Sequence, residues 1–97
     1  MNRRNRQFKD AGILNADGSR FTCIDYDRQY QAQQGRCFGC GTHQSELKGR
    51  LHADHDHKTG RFRFLLCGGC NNALGNAKDS PATLRRLADR LDALEGR

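Results

Sequence analysis

Two stretches of this chain gather side chains that hold cations or move protons. Cys37-Phe38-Gly39-Cys40 and Cys67-Gly68-Gly69-Cys70 are paired C-x-x-C knuckles, and between them lies Asp54-His55-Asp56-His57. Two residues between thiolates let a tight turn aim both sulfurs at one ion, and two such turns supply the four thiolates of a tetrahedral zinc site. Gly39, Gly68 and Gly69 relieve the backbone crowding such turns create, and Gly41 follows the first knuckle in the same way. Four thiolates leave no open coordination position, so Cys37, Cys40, Cys67 and Cys70 are expected to hold a structural zinc rather than a reactive one. A redox C-x-x-C needs no second pair; an iron–sulfur cluster is the other alternative. Cys23 stands outside both knuckles and reads as a small packing residue.

The run from Asp54 to His57 has a different character. In extended backbone Asp54 and Asp56 face one way and His55 and His57 the other. One residue can then hold a cation while its neighbour faces a substrate. The plainer readings are a solvated polar turn or an accidental His-rich metal site, and four residues alone do not exclude them. Their place between two knuckles in a basic chain favours the functional reading. His43 and His52 are expected to be bystanders, and Tyr26 and Tyr30 to pack a helix rather than stack on bases.

The elements that must position these groups follow from pattern and punctuation. Leu51 and Ala53 alternate with polar neighbours, which predicts a strand ending at Asp54. Lys58-Thr59-Gly60 reads as a turn, and Phe62, Phe64 and Leu66 alternate with Arg61, Arg63 and Leu65 along a second strand. The second knuckle then leads into a short helix, 71–77, giving strand–loop–strand–helix. Upstream, a helix is expected over about 24–34, capped by Thr22 or Asp25 and stopped by Gly35. Downstream, Ser80 caps and Pro81 opens a helix whose apolar stripe is Leu84, Leu87, Ala88, Leu91 and Leu94. That stripe is expected to be buried, against its own domain or in a homodimer. The organisation read from this is a basic arm over 1–21, frayed or lying on a phosphate backbone, a core over 22–79, and an amphipathic helix over 80–97.

Composition sets the outer bounds. Ninety-seven residues make one domain, and with only 35% hydrophobic residues and no Trp the core is small enough to need a staple. Seventeen Lys and Arg against eleven Asp and Glu give a net charge of +6, which favours a polyanion such as nucleic acid. No apolar run approaches the ~20 residues of a membrane span, and no secretory signal is visible. A cytoplasmic protein is expected, where thiols stay reduced and metal is favoured over disulfides.

From Tyr30 to about Asp79 the chain resembles the phage recombination endonuclease VII family, a branch of the His-Me finger nucleases. The resemblance rests on Gln34-Gly35-Arg36-Cys37-x-x-Cys40, then Leu51-x-x-Asp54-His55-Asp56-His57-x-Thr59-Gly60, then Arg63-x-Leu65-Leu66-Cys67-x-x-Cys70-Asn71 and Leu74-Gly75. It implies a small zinc-stapled α+β domain with a ββα-metal core and flanking helices. It also implies Asp54 and Asn71 as ligands of a catalytic Mg²⁺ or Mn²⁺, His55 as general base and His57 as a second active-site histidine. A carboxylate and an amide oxygen suit a hard cation, and a neutral imidazole can accept a proton from water near neutral pH. The expected activity is hydrolysis of DNA phosphodiesters, with Lys58, Arg61 and Arg63 gripping the backbone. Phe64 departs from the family, which usually has Gly before the Leu-Leu-Cys run. The chain also ends at Arg97, short of the dimerisation region of junction-resolving members, so nicking or packaging-associated cutting is expected before junction resolution. The competing readings are a non-catalytic zinc-knuckle DNA-binding module and a zinc-stabilised protein-interaction domain.

Overall fold

The structure, a computed structural model, describes residues 3–96. In chain order it runs α1 (Arg3–Asp10), α2 (Cys23–Ala32), a 3-10 turn (Gln44–Glu46), β1 (His52–His55), β2 (Phe62–Leu66), α3 (Gly68–Asn76) and α4 (Pro81–Glu95). β1 and β2 form an antiparallel hairpin, and α3 follows directly, so the strand–loop–strand–helix order expected from the sequence is present. No helix among the described residues is long and apolar enough to cross a membrane.

The hairpin is not regular. His52 pairs with Leu66 and Ala53 with Leu65, but His55 pairs with Phe62. Arg63 and Phe64 therefore both stand opposite Asp54, a bulge on β2. An extra residue breaks the period of two, and the expected alternation of Phe62, Phe64 and Leu66 fails with it. Leu65 and Leu66 are both buried, Phe62 stacks on Phe21 at 4.4 Å, and Phe64 stacks on Phe38 of the first knuckle at 4.9 Å. The aromatic ring at position 64 thus packs beside the thiols.

Three polar side chains lock the hairpin to its neighbours. The Gln33 amide donates to the Leu65 carbonyl and accepts from the Leu65 N–H, both at 3.0 Å. The Tyr26 hydroxyl donates to the buried Leu51 carbonyl at 2.6 Å, and Gln44 accepts from the Leu51 N–H at 3.0 Å. These bonds satisfy backbone groups that the short sheet leaves unpaired, which burial would otherwise make costly. α2 begins where expected: the Asp25 carboxylate accepts from the Thr22 N–H and hydroxyl, with Thr22 at the N-cap. Past its end the chain turns at Gly35 (φ 71°), where a Cβ would lie 2.7 Å from both the Tyr30 hydroxyl and His43 Nε2. Only glycine fits that turn.

The segment read as a basic arm packs on this core. Phe8 of α1 meets Phe21 edge-on at 5.1 Å and stacks on Tyr26 at 5.8 Å, while Ile13 and Phe21 are buried. Leu14 bonds to Gly60 and Phe62 along the outer edge of β2. Arg4 pairs with Asp27 at 2.7 Å, tying α1 to α2. Met1, Asn2 and Arg97 lie outside the described residues.

α4 starts as predicted, with the Ser80 hydroxyl accepting from the Thr83 N–H and Pro81 in the first turn. Its apolar stripe does not pack on its own domain as one reading expected: Leu87, Leu91 and Leu94 are 58%, 58% and 66% exposed. The reason is directional. Lys78 and Asp79 both adopt left-handed backbone (φ 55° and 56°), and the chain leaves α3 through them. None of the main packing contacts between elements involves α4.

Candidate active site and metal centre

The four knuckle cysteines converge. Their sulfurs all lie within 4.8 Å of one another, and Cys40 Sγ and Cys67 Sγ are 3.8 Å apart. Tetrahedral zinc with Zn–S bonds of about 2.3 Å sets its sulfurs roughly 3.8 Å apart, so the donor set fits such an ion. Backbone N–H groups point at the sulfurs: Gly39 and Cys40 donate to Cys37 Sγ at 3.3 and 3.5 Å, and Cys70 to Cys67 Sγ at 3.4 Å. Cys67 is the N-cap of α3. Burial raises the Cys37 thiol, yet the N–H groups of Cys40, Cys67 and Gly39 outweigh it and bring it down to about 6. Burial and the neighbouring thiols push Cys70 up to about 12. Sulfurs this close resist ionising together, and a cation among them is what removes that opposition.

The other group lies at the opposite end of the hairpin. Asp54, His55, His57 and Asn71 line one cleft of about 230 Å³ together with Ala53, Asn72, Gly75 and Asn76. The first three come from the end of β1 and its turn, and the rest apart from Ala53 come from α3. Asp54 is only 4% exposed and is held by Arg63, whose Nε and Nη2 donate to its two oxygens at 2.6 and 3.0 Å. Arg63 Nη2 also donates to Asp79 at 3.2 Å. These bonds, with that to Asp54 the strongest, hold the guanidinium protonated more firmly than usual. The Asp79 carboxyl is held below the usual carboxylate range by Arg63 and, more weakly, by His57. His57 Nδ1 lies 3.2 Å from Asp79 Oδ2, and the His55 and His57 ring centres are 5.4 Å apart.

Asp56 does not join the cleft. Its carboxylate accepts from the Lys58 and Thr59 N–H groups at 2.7 and 3.0 Å, closing the turn, and the Thr59 bond leads in holding it below its ordinary range. Lys58 and Arg61 are exposed on that turn. Lys58 also lines an adjoining hollow of about 440 Å³ with Arg63, Lys78 and Asp79. Arg63, expected to grip a phosphate backbone, is instead engaged with two carboxylates, because the bulge sets it opposite Asp54. His43 caps the 3-10 turn, and His52 lines other hollows than the cleft.

Three polar residues of this region escaped the sequence reading. Asn72 and Asn76 stand four apart on α3, a spacing that puts both amides on one face. Asp79 carried no such signal, since its neighbours Ser80 and Pro81 mark it only as the approach to a helix.

A profile of the family described as recombination endonuclease VII matches residues 11–93. The Gene 59 protein of Mycobacterium phage D29 is 45% identical over 71 residues, covering 72% of this chain and 42% of that protein. The Gene 59 protein of Mycobacterium phage L5 is 43% identical over 68 residues, covering 69% and 41%. The chain spans less than half the length of these curated relatives. Among solved structures, the ββα-Me type II restriction endonuclease Hpy99I is similar with a TM-score of 0.53, over 84% of this chain and 55% of that one. At 23% identity the likeness is one of fold.

Proposed function

This chain belongs to the recombination endonuclease VII family, and on that premise we propose that it is a metal-dependent endonuclease hydrolysing DNA phosphodiester bonds at the Asp54–His55 cleft. The observation that carries the reading is the meeting of Asp54, His55 and Asn71 in one cleft, where β1 ends and α3 begins. Asp54 and Asn71 are the residues to hold Mg²⁺ or Mn²⁺, since both offer oxygen to a hard cation. Asp54 has lone pairs beyond the two that Arg63 occupies, and an ionised carboxylate offers about four. When bound, such an ion relieves charge on the phosphate and its leaving oxygen. His55 takes the proton of the attacking water, and His57 lies close enough to assist. Lys58 and Arg61, both exposed on the turn beside the cleft, are the cations we assign to the flanking phosphates. The four-cysteine cluster holds structural zinc and takes no part in the reaction.

Nicking of supercoiled plasmid, with and without Mg²⁺ or Mn²⁺, tests the reading directly. Cation-dependent cutting abolished by Asp54→Asn supports it; retention of DNA with no cutting under any cation overturns it. One observation favours the alternative of a non-catalytic zinc-knuckle DNA-binding module: both Asp54 oxygens are engaged by Arg63, as in a purely structural ion pair. The same assay separates the two. We further propose that α4 forms a homodimer with a second copy, since its leucine stripe finds no cover among the described residues.

A further inference from the structure

We propose that Asp79 is a positioning residue of the cleft, holding His57 in one tautomer and sharing the Arg63 guanidinium with Asp54 so that a divalent cation can compete for that carboxylate. The inference rests on the metal-dependent reading above and adds a residue to it. Asp79 enters from outside the hairpin, two residues before α4 begins, yet it touches two members of the site. Its Oδ1 accepts from Arg63 Nη2 at 3.2 Å, and its Oδ2 lies 3.2 Å from His57 Nδ1.

Each contact has a chemical consequence. An ionised carboxylate only accepts hydrogen bonds, so His57 Nδ1 carries the proton in this contact, and in the neutral ring Nε2 is the accepting nitrogen. Arg63 is a cation already seated on the carboxylate that a metal must use. A second carboxylate sharing its Nη2 weakens its hold on Asp54; without that charge the guanidinium belongs to Asp54 alone. Removing Asp79's charge therefore strengthens a competitor for the metal ligand rather than removing a ligand.

The backbone supports the assignment. Asp79 and Lys78 are consecutive left-handed residues, neither of them glycine. That conformation is unfavourable for most side chains with a Cβ, Lys78 among them, while aspartate and asparagine adopt it more readily. Here the Asp79 N–H bonds to the Leu74 carbonyl at 2.9 Å and the Lys78 N–H to Gly75 at 3.0 Å. These bonds close the end of α3 and fix the turn that delivers the Asp79 side chain to the site. Asparagine tolerates the same conformation, so Asp79→Asn removes the charge and keeps the turn.

The test uses the full chain loaded with zinc. Nitrogen-15 spectra of the histidine rings without added divalent metal should show His57 as the Nδ1–H tautomer. Titration calorimetry with Mn²⁺ should show Asp79→Asn binding at least ~10-fold more weakly than wild type, the lower end for a residue acting through a ligand's partner. Adding Arg63→Gln should restore most of that loss, a rescue that a merely structural role of Asp79 does not produce. The Mn²⁺ comparison between wild type and Asp79→Asn stands even where the double variant fails to fold. An Nε2–H tautomer for His57 in the wild type overturns the proposal. So does unchanged Mn²⁺ affinity in Asp79→Asn alongside a loss in Asp54→Asn, which leaves the metal-dependent reading intact. Unchanged affinity in Asp54→Asn overturns that reading and this proposal together.

Discussion

The thiol cluster and the Asp54 cleft both gather ligand-type side chains around one hairpin, and they do it in opposite ways. In the cluster, the donors come from two C-x-x-C segments, N–H groups already face the sulfurs, and the competing contacts are with one another and with the Thr42 hydroxyl, 3.2 Å from Cys40 Sγ. In the cleft, the buried carboxylate is occupied by an arginine, which in turn is shared with an aspartate from beyond α3. The first arrangement is complete once an ion arrives. The second is a balance among protein groups that an ion must enter. A site that only holds a fold together gains by closing, whereas a hydrolytic site of the kind proposed for the cleft must admit water and phosphate and so leave its ligands replaceable.

The largest way to break this contrast is at the cluster. Cys37→Ser or Cys67→Ser is expected to abolish cooperative folding, because zinc binding in small domains supplies about 10–16 kcal/mol, as much as a domain's whole stability. Circular dichroism with metal analysis checks it; a zinc-free variant that melts like wild type removes the cluster's structural role. At the cleft the expectation reverses. His55→Ala should fold, keep zinc and bind DNA, while single-turnover cleavage falls ~10²–10⁴-fold. Near wild-type cutting would move the general base to His57. A smaller effect is expected on α4, which neither region covers. Wild type should sediment as a dimer and Leu91→Glu as a monomer, with each subunit's fold unchanged because the position is exposed. A monomeric wild type ends the dimer reading. The smallest effect lies behind β1, between the two regions. Tyr26→Phe removes the bond to the Leu51 carbonyl and should cost about 1 kcal/mol, or roughly 4–8 °C in melting temperature.

The contrast also explains what could be read from the chain. The knuckles, the hairpin turn, the helix after Cys67 and the Ser80-Pro81 start are local patterns, and each is present in the structure. Asp54, His55, His57 and Asn71 are named together by the resemblance to the endonuclease VII family, and the folded chain brings all four to one cleft. The Arg63–Asp54 pair does not show in the sequence, because strand alternation assumes a regular ladder and one bulged residue on β2 sets Arg63 opposite Asp54. Asp79 was invisible because its partners lie 22 and 16 residues away, across a turn whose φ values its own side chains do not advertise. The packing of α1 was missed for a related reason: Phe8, Ile13 and Phe21 follow no single period, so only the folded core shows them together. The stripe on α4 was correctly seen as apolar, but a stripe does not say what it faces.

The cluster also bears on the order in which the chain folds. Joining Cys40 to Cys67 closes a loop between residues 27 apart, and that loop contains the whole hairpin. Bringing the ends of such a loop together costs about 3 kcal/mol of chain entropy plus a constant, from the logarithm of its length. If β1 and β2 have already zipped, Leu66 adjoins Cys67, and the stretch still open runs only from Cys40 to His52. The closure penalty is then lower by roughly 0.7 kcal/mol. A hairpin forms in about 1–10 μs on its own, with no need of the cluster. The favoured route therefore runs from turn to hairpin to cluster, and the ion reaches four sulfurs whose approach the strands have already shortened.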